Sequence, residues 1–173
     1  MNKKEFKIAV AESNIDWKGR KVTGSHFGTI GLKEGALTVS DGILTGGNFV
    51  VDTTSIKILD VTDPATNAQF AGHLASDDFF SIDRYPEAFF EITSANNNRI
   101  EGNLTIKGIT HSVGFDATVR ISGDTMSAAG KIVIDRTKYG IRFRSGNFFK
   151  DLGDNLIYDD FDLTVNLIAK VAA

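Results

Sequence analysis

The sequence contains no cysteine, and its 173 residues include only two prolines and one tryptophan. The lack of cysteine excludes disulfides, thiolate metal sites, cysteine nucleophiles and lipid attachment through a thiol. No segment approaches the roughly 18 consecutive apolar residues of a membrane-spanning helix, so stable membrane insertion is not expected. The formal net charge is −3 and lysine and arginine form no dense cluster, so we expect no nucleic-acid partner.

Phenylalanine and glycine are the abundant residues, with 13 and 17 copies. The length fits one domain, and we expect a single domain over residues 1–173. The amino terminus is basic, but the apolar stretch at 8–11 is shorter than the roughly 7–15 residues of a secretion signal core. The sequence as it stands therefore predicts a cytoplasmic protein, or a periplasmic one if a signal segment has been removed.

Apolar and polar residues alternate along much of the chain, which is typical of strands with one buried face. The clearest case is 112–121, where the odd-numbered residues are apolar and the even-numbered ones are polar or glycine. The same alternation runs through 100–107 and 160–167. Further predicted strands are 6–11, 21–32, 37–40, 43–52, 55–60, 88–94 and 129–135.

Residues typical of tight turns separate these strands. Turns are predicted at Asp41-Gly42, 18–20, Glu34-Gly35, 96–98, Lys107-Gly108 and 122–124. Many short strands at hairpin spacing form a meander that closes into a barrel or stacks as a sandwich. One helix is predicted from Pro64, because Asp63 can cap its first amides and proline suits the first helical position.

No catalytic or metal-binding motif stands out. His26, His73 and His111 have no metal-ligand spacing, and there is neither a nucleophile elbow nor a phosphate-binding loop. His73 is predicted to hydrogen-bond with Asp77 on the helix surface. Paired carboxylates stay open as an alternative, since such pairs come together only in the fold. We therefore expect no catalytic residue, metal site or cofactor.

Seven blocks of sequence occur in a specific order along most of the chain. This ordered set resembles the YceI-like family, the lipocalin-like polyisoprenoid-binding proteins of bacteria. The blocks are SNIDWKG (13–19), GSHFGTI (24–30), LTGGNFVVDTTSI (44–56), HLASDDFF (73–80), YPEAFF (85–90), GNLTIKGIT (102–110) and IDRTKYGI (134–141).

The resemblance implies an all-β fold, a lipocalin-like antiparallel β-barrel of about eight strands with one short helix. It also implies that the lumen binds and carries or stores a long-chain isoprenoid lipid, a polyprenyl phosphate or an isoprenoid quinone, without catalysis. A homodimer remains open. The alternatives are a hydrolase or isomerase that uses the same cavity, and a stress-related interaction protein with a packed barrel.

Several side chains are candidates for lipid binding. Alternation places large rings on the inner face beside small residues, which can frame a channel or pack as a core. His26 and Arg136 are candidates for contact with a polar head group, although Arg136 can instead pair with Asp135 or Asp83. Trp17 can close one end of the barrel or belong to the core. The full set is Trp17, His26, Phe49, Phe80, Phe90, Leu104, Phe115, Ile134, Arg136 and Phe143.

Overall fold

The computed structural model describes residues 3–22, 24–146, 152 and 156–171, which form nine strands, one α-helix and two short 3-10 helices. The strands are β1 (Lys3–Ile8), β2 (Asn14–Lys21), β3 (Gly24–Ser40), β4 (Ile43–Ile58), β5 (Glu87–Ala95), β6 (Arg99–Ile106), β7 (Ile109–Ser122), β8 (Thr125–Asp135) and β9 (Ile157–Val171). The helix α1 spans Pro64–Ala75, and the 3-10 helices span Val10–Glu12 and Arg136–Tyr139.

The sheet is antiparallel and closes on itself. Its strand order is β3-β2-β9-β8-β7-β6-β5-β4, and β4 pairs back with β3. β1 and β2 share one position in this order, since each lies between a different part of β3 and a different part of β9. Nine described strands thus occupy eight positions. The predicted barrel of about eight strands with one helix is confirmed, and the sandwich is excluded.

The predicted faces of the strands are also confirmed. In β7 the odd-numbered residues from Val113 to Ile121 belong to the core or pack against it, while their even-numbered neighbours are exposed. In β6, Ile100, Leu104 and Ile106 are buried. Because side chains alternate with period two, a register error of one residue would have reversed all these assignments.

Most turn predictions are confirmed, and two are wrong. Asp41-Gly42 and Lys107-Gly108 join neighbouring strands with positive φ at both residues, as a type I′ turn requires. Residues 96–98 and 122–124 also lie between strands. Residues 18–20, however, lie inside β2, and Glu34-Gly35 lies inside β3.

The glycine at position 35 has a packing role, which explains the second error. A Cβ on Gly35 would lie 2.6 Å from the Cβ of Phe49 on β4, so only glycine allows the two strands to approach so closely. A register shift between Leu32 and Glu34 bends β3 without ending it. The predicted strand 21–32 therefore belongs to β3 from Gly24 onward, together with 37–40, while Lys21 ends β2. The predicted strands 43–52 and 55–60 belong largely to β4.

The two ends of the barrel differ. We call the end with the turns at 41–42, 96–98 and 122–124 the turn end, and the opposite end, where α1 lies, the helix end. α1 begins at Pro64 as predicted, and the Asp63 carboxylate accepts a hydrogen bond from the Thr66 amide at 3.0 Å. The Asn67 side chain then donates to the carbonyl oxygens of Ile58 and Val61, which fixes the helix beside the end of β4.

The wall between β7 and β8 is only partly hydrogen-bonded. Residues 117–122 pair with 125–130, whereas 109–116 and 131–135, all described, form no ladder with each other. The 3-10 helix Arg136–Tyr139 covers this seam, and the His111 Nε2 lies 2.8 Å from the Lys138 carbonyl oxygen. Side chains and one short helix thus close the wall at the helix end.

An ion cluster stabilises the outer wall across β2, β9 and β8. Asp162 is buried although it faces outward, because Arg20 bonds it from one side and the Lys131 Nζ lies 3.5 Å away on the other. Burial alone would raise the pKa of Asp162, but Arg20 and Lys131 outweigh that effect and lower it.

Asp162→Asn is expected to reduce the free energy of unfolding by roughly 1–2 kcal/mol at neutral pH, because it removes the charge that both cations contact. Since the folded pKa lies below the unfolded one, this contribution is complete above the unfolded value of about 3.9 and lost as the pH falls through the folded value. Urea denaturation across this pH range should therefore show the two proteins converging in acid. A gap that stays constant, or an equal loss for the exposed Asp160→Asn, would contradict the assignment.

Candidate functional site in the barrel interior

The interior is lined by apolar side chains from all nine described strands, and its turn end is sealed. Phe6, Leu44 and Ala169 are completely buried there. The Asn97 side chain closes this end by accepting from the Leu44 amide at 3.0 Å and donating to the Gly42 carbonyl oxygen at 3.2 Å. A ligand that enters along the barrel axis would therefore enter from the helix end.

Three candidate rings pack together in the middle of the barrel. The ring centroids of Phe49 and Phe90 lie 5.2 Å apart, and those of Phe90 and Phe115 lie 6.0 Å apart. Phe90 occupies the space that a Cβ on Gly102 would need, and Phe115 does the same at Gly130. The rings thus lie in the gaps that the glycines leave in the wall.

The interior around these three rings is filled by side chains. Between the rings and their neighbours remains a cavity of about 20 Å³, enough for about one water molecule. Leu104 and Ile134, two further candidates, are buried in the same core. The rings therefore pack as a core here and do not frame an open channel, so a chain-like ligand would have to displace side chains.

Partly exposed apolar side chains that pack against the core occur at both ends of the barrel, and the larger set lies toward the helix end. Ile58, Ile106 and Ile134 are buried there as well. Several inward-facing or covering apolar residues pack against the core but keep part of their surface in contact with solvent. Phe80 packs edge-on against Phe161, with ring centroids 6.4 Å apart. We call this set the helix-end lining; it consists of Ile30, Leu32, Phe79, Phe80, Phe161 and Leu163. These residues offer an apolar ligand surface that is already accessible.

An aromatic cluster around His73 covers the helix end. The His73 ring meets Phe79 and Phe143 edge-on, with centroid distances of 4.9 and 4.6 Å. The predicted bond between His73 and Asp77 is wrong, since the His73 Nε2 lies 3.1 Å from the Asp78 carboxylate instead. The helix ends at Ala75, so the residues after it no longer follow helical spacing.

His26 connects the barrel wall to α1. Its Nδ1 lies 2.7 Å from the Asp60 carboxylate, and its ring meets Phe70 of α1 edge-on at 4.7 Å. Burial alone would raise the pKa of Asp60, but the Phe27 amide and His26 outweigh that effect and lower it. The Asp60 carboxylate thus orients the His26 ring, and the ring contacts α1.

Arg136 is buried and bonded to the backbone. Its guanidinium donates to the carbonyl oxygens of Ile141, Ile157 and Tyr158, each at 3.0 Å. Neither Asp135 nor Asp83, the two acids predicted as partners, forms an ion pair with it. The Asp135 carboxylate accepts hydrogen bonds from Thr137 instead. Burial lowers the pKa of Arg136, against the opposing charges of Asp159 and Asp135. Arg136 thus fastens the start of β9 to the 3-10 helix, and its contact with a head group stays a prediction.

Trp17 lies on the wall of the helix-end half. Its ring lies over Gly28, where a Cβ would be 2.9 Å from the indole, and its Nε1 donates to the Lys57 carbonyl oxygen at 3.1 Å. The side chain therefore spans β3 and joins β2 to β4. Trp17 is half-buried, so it is less buried than the core residues. Its role in closing one end of the barrel stays a prediction.

Tyr139 is an interior residue that the sequence argument did not select. It is almost completely buried, and its hydroxyl has no hydrogen-bond partner among the described residues. Burial raises the pKa of Tyr139 to about 12, so the phenol stays protonated at neutral pH. Its position in the block IDRTKYGI gave no signal, because an interior tyrosine there looks like any core aromatic.

Within the described part of the chain, no three histidine, aspartate or glutamate side chains come together to hold a metal ion. None of the described helices is long and apolar enough to cross a bilayer.

Comparison with known proteins identifies relatives over most of the chain. The model of the YceI-like domain matches residues 6–169. A UPF0312 protein of Staphylococcus aureus (strain bovine RF122) is 42% identical over 80 residues, which cover 41% of this chain and 46% of that protein. A UPF0312 protein of Staphylococcus epidermidis is 36% identical over 103 residues, 53% of this chain and 60% of that protein. The chain thus spans about half the length of the curated relatives it matches.

Solved structures share the fold at low sequence identity. BcnA of Burkholderia cenocepacia superposes with a TM-score of 0.70 at 22% identity, over 94% of this chain and 99% of that one. A polyisoprenoid binding domain from Saccharophagus degradans, implicated in plant cell wall breakdown, gives 0.67 at 12% identity, over 96% and 98%. The YCEI protein of Campylobacter jejuni gives 0.54 at 17% identity, over 75% and 74%.

Proposed function

The chain belongs to the YceI-like family, and on that premise we propose that its barrel binds the apolar chain of a long isoprenoid lipid and carries or stores it without chemical change. The observation that supports this most is the helix-end lining, a set of inward-facing or covering apolar side chains that stay partly exposed at the end where α1 lies. The structural neighbour from Saccharophagus degradans, described as a polyisoprenoid binding domain, shares the fold and adds support.

The energy of such binding comes from the chain. Burying one methylene contributes roughly 0.8 kcal/mol, so a tail of about 20 carbons offers on the order of 15 kcal/mol before costs. Ordering the tail and displacing the packed rings consume a large part of this energy. We propose that the ligand enters at the helix end, contacts the lining first and then separates the rings around Phe90.

The polar head group, a phosphate or a quinone in this proposal, would stay near the helix end, where the polar groups lie. His26 is half-buried there and is the accessible candidate. Arg136 is less available, because backbone carbonyls already occupy three of its donors.

A packed-barrel interaction protein is the second candidate, favoured by the 20 Å³ cavity. Mass spectrometry of the organic extract of purified protein separates the two. Recovery of a prenyl lipid or quinone would support the carrier. A clean extract, together with no saturable binding of a fluorescent prenyl analogue, would favour the interaction protein.

Leu163→Trp is expected to weaken binding of the fluorescent prenyl analogue by about tenfold or more, equivalent to about 1.4 kcal/mol. The larger ring would fill the accessible helix-end lining, to which Leu163 belongs. The matched control is Thr164→Trp, which places the same ring on the outer face of β9, where Thr164 is exposed. Fluorescence titration of both variants checks this. Equal affinities of the two variants would show that the ligand does not occupy the helix-end lining.

A further inference from the structure

The outer wall beside the helix end carries an exposed apolar pair. Phe27 and Leu59 lie side by side, joined by a hydrogen bond from the Leu59 amide to the Phe27 carbonyl oxygen at 3.0 Å. Both side chains face outward and are about half exposed, 48% for Phe27 and 55% for Leu59. Exposed apolar side chains that lie next to each other, rather than singly, are candidates for an interaction surface.

Lysines flank this pair. Lys18 lies directly opposite Phe27 on β2, and Lys57 lies two residues before Leu59, on the same outer face. Both are exposed, and neither has an ion-pair partner among the described residues. We call Lys18, Phe27, Lys57 and Leu59 the rim patch.

Lys18 and Lys57 are the cations of the outer wall closest to the apolar pair. Two carboxylates of this wall are already engaged, Asp162 by Arg20 and Lys131, and Asp60 by His26 and the Phe27 amide. The charges of the two lysines are therefore available to an anionic surface. An apolar pair with a basic surround matches the interface of an anionic membrane.

The rim patch is also connected to the helix that covers the interior. His26, the neighbour of Phe27, points to the other side of the wall and contacts Phe70 of α1. The Phe27 amide and His26 share the Asp60 carboxylate. The backbone of the rim patch and the residue that contacts α1 thus share one carboxylate, Asp60.

We propose that the rim patch docks the barrel onto the surface of an anionic lipid bilayer, with Phe27 and Leu59 in the interface and the lysines against the lipid phosphates. The helix end then faces the bilayer at the point where an apolar chain would leave it. The purpose of this docking rests on the proposed function, but the docking itself is measured without a prenyl ligand.

Vesicle flotation tests the proposal, with phosphatidylcholine vesicles that do or do not contain phosphatidylglycerol. The wild-type chain should bind the anionic vesicles and release them at high salt. Lys18→Glu with Lys57→Glu should lower the affinity by at least about 30-fold, since each lysine near such a surface is worth about fivefold. Phe27→Ser with Leu59→Ser should lower it by about tenfold or more.

Phe89→Ser with Ile43→Ser is the matched control. These side chains are equally exposed, at 45% and 46%, but lie elsewhere on the barrel. The control should bind vesicles like wild type. Equal losses in the control, or no vesicle binding by wild type, would overturn the proposal. So would conversion of a dimer to a monomer by the patch variants, because the patch would then be covered by a second copy.

The prenyl titration separates this inference from the proposed function. Patch variants should bind a water-soluble prenyl analogue as wild type does, because the patch lies outside the barrel. Wild type that binds the analogue but not the vesicles would refute the docking alone. Wild type that binds the vesicles but not the analogue would refute the proposed function and leave the docking in place.

Discussion

Replacing Phe90 by aspartate is expected to leave the chain unfolded at room temperature. Phe90 is completely buried, contacts the rings of Phe49 and Phe115, and fills the space over Gly102. The substitution would remove the central ring of the core and place an unpaired carboxylate in its apolar site. Each change costs several kcal/mol, whereas a domain of this size has a total stability of about 5–15 kcal/mol.

The neighbouring residue supplies the control. Phe89 carries the same side chain, but it faces outward from β5 and is 45% exposed. Phe89→Asp should therefore fold and change the free energy of unfolding by less than about 1 kcal/mol. Circular dichroism and thermal denaturation of the pair measure the difference. Similar behaviour of the two variants would mean that the inner and outer faces of β5 are assigned wrongly.

Arg136→Ala is the second change with a large expected effect, a loss of about 3–5 kcal/mol in the free energy of unfolding. It would leave the carbonyl oxygens of Ile141, Ile157 and Tyr158 without their donor, in a region where Arg136 itself is only 4% exposed. A buried acceptor without a partner costs about 1–3 kcal/mol. Arg136→Lys should recover little, because one ammonium cannot reach three carbonyls as the planar guanidinium does.

Lys138→Ala is the control for charge, since Lys138 lies two residues away and is exposed. Urea denaturation of the three variants should show a large loss for both Arg136 variants and almost none for Lys138→Ala. The sequence suggested instead that Arg136 contacts the head group of the lipid. That role would be supported if Arg136→Ala is as stable as wild type and loses affinity only for prenyl phosphates.

Local patterns were enough to predict the strands, their inner faces and the helix, whereas the choice of a barrel over a sandwich came from the family resemblance. Alternation in 112–121 identified the inner face of β7, because a strand shows its two faces in consecutive residues. Asp63 and Pro64 marked the start of α1 for an equally local reason, since a cap acts within its own first turn. The ordered blocks of residues identified the family.

The turns at 18–20 and Glu34-Gly35 show where local reading fails. Glycine is common in turns, but it also occurs in strands wherever a neighbouring chain or ring must come close. Gly35 belongs to the second class because of Phe49 on β4. Its partner lies 14 residues away in the sequence, so nothing beside Gly35 in the chain reveals the difference.

The candidate site depended on the tertiary structure in the same way. The sequence alone determined which side chains face inward, that the interior is apolar and that no catalytic motif accompanies it. Only the fold decided that His26 meets Asp60, 34 residues away, and that Arg136 bonds the backbone of β9. Only the fold also decided that the rings around Phe90 fill the interior around them. The volume left between side chains depends on how all the strands pack together, so the sequence of a single strand does not determine that volume.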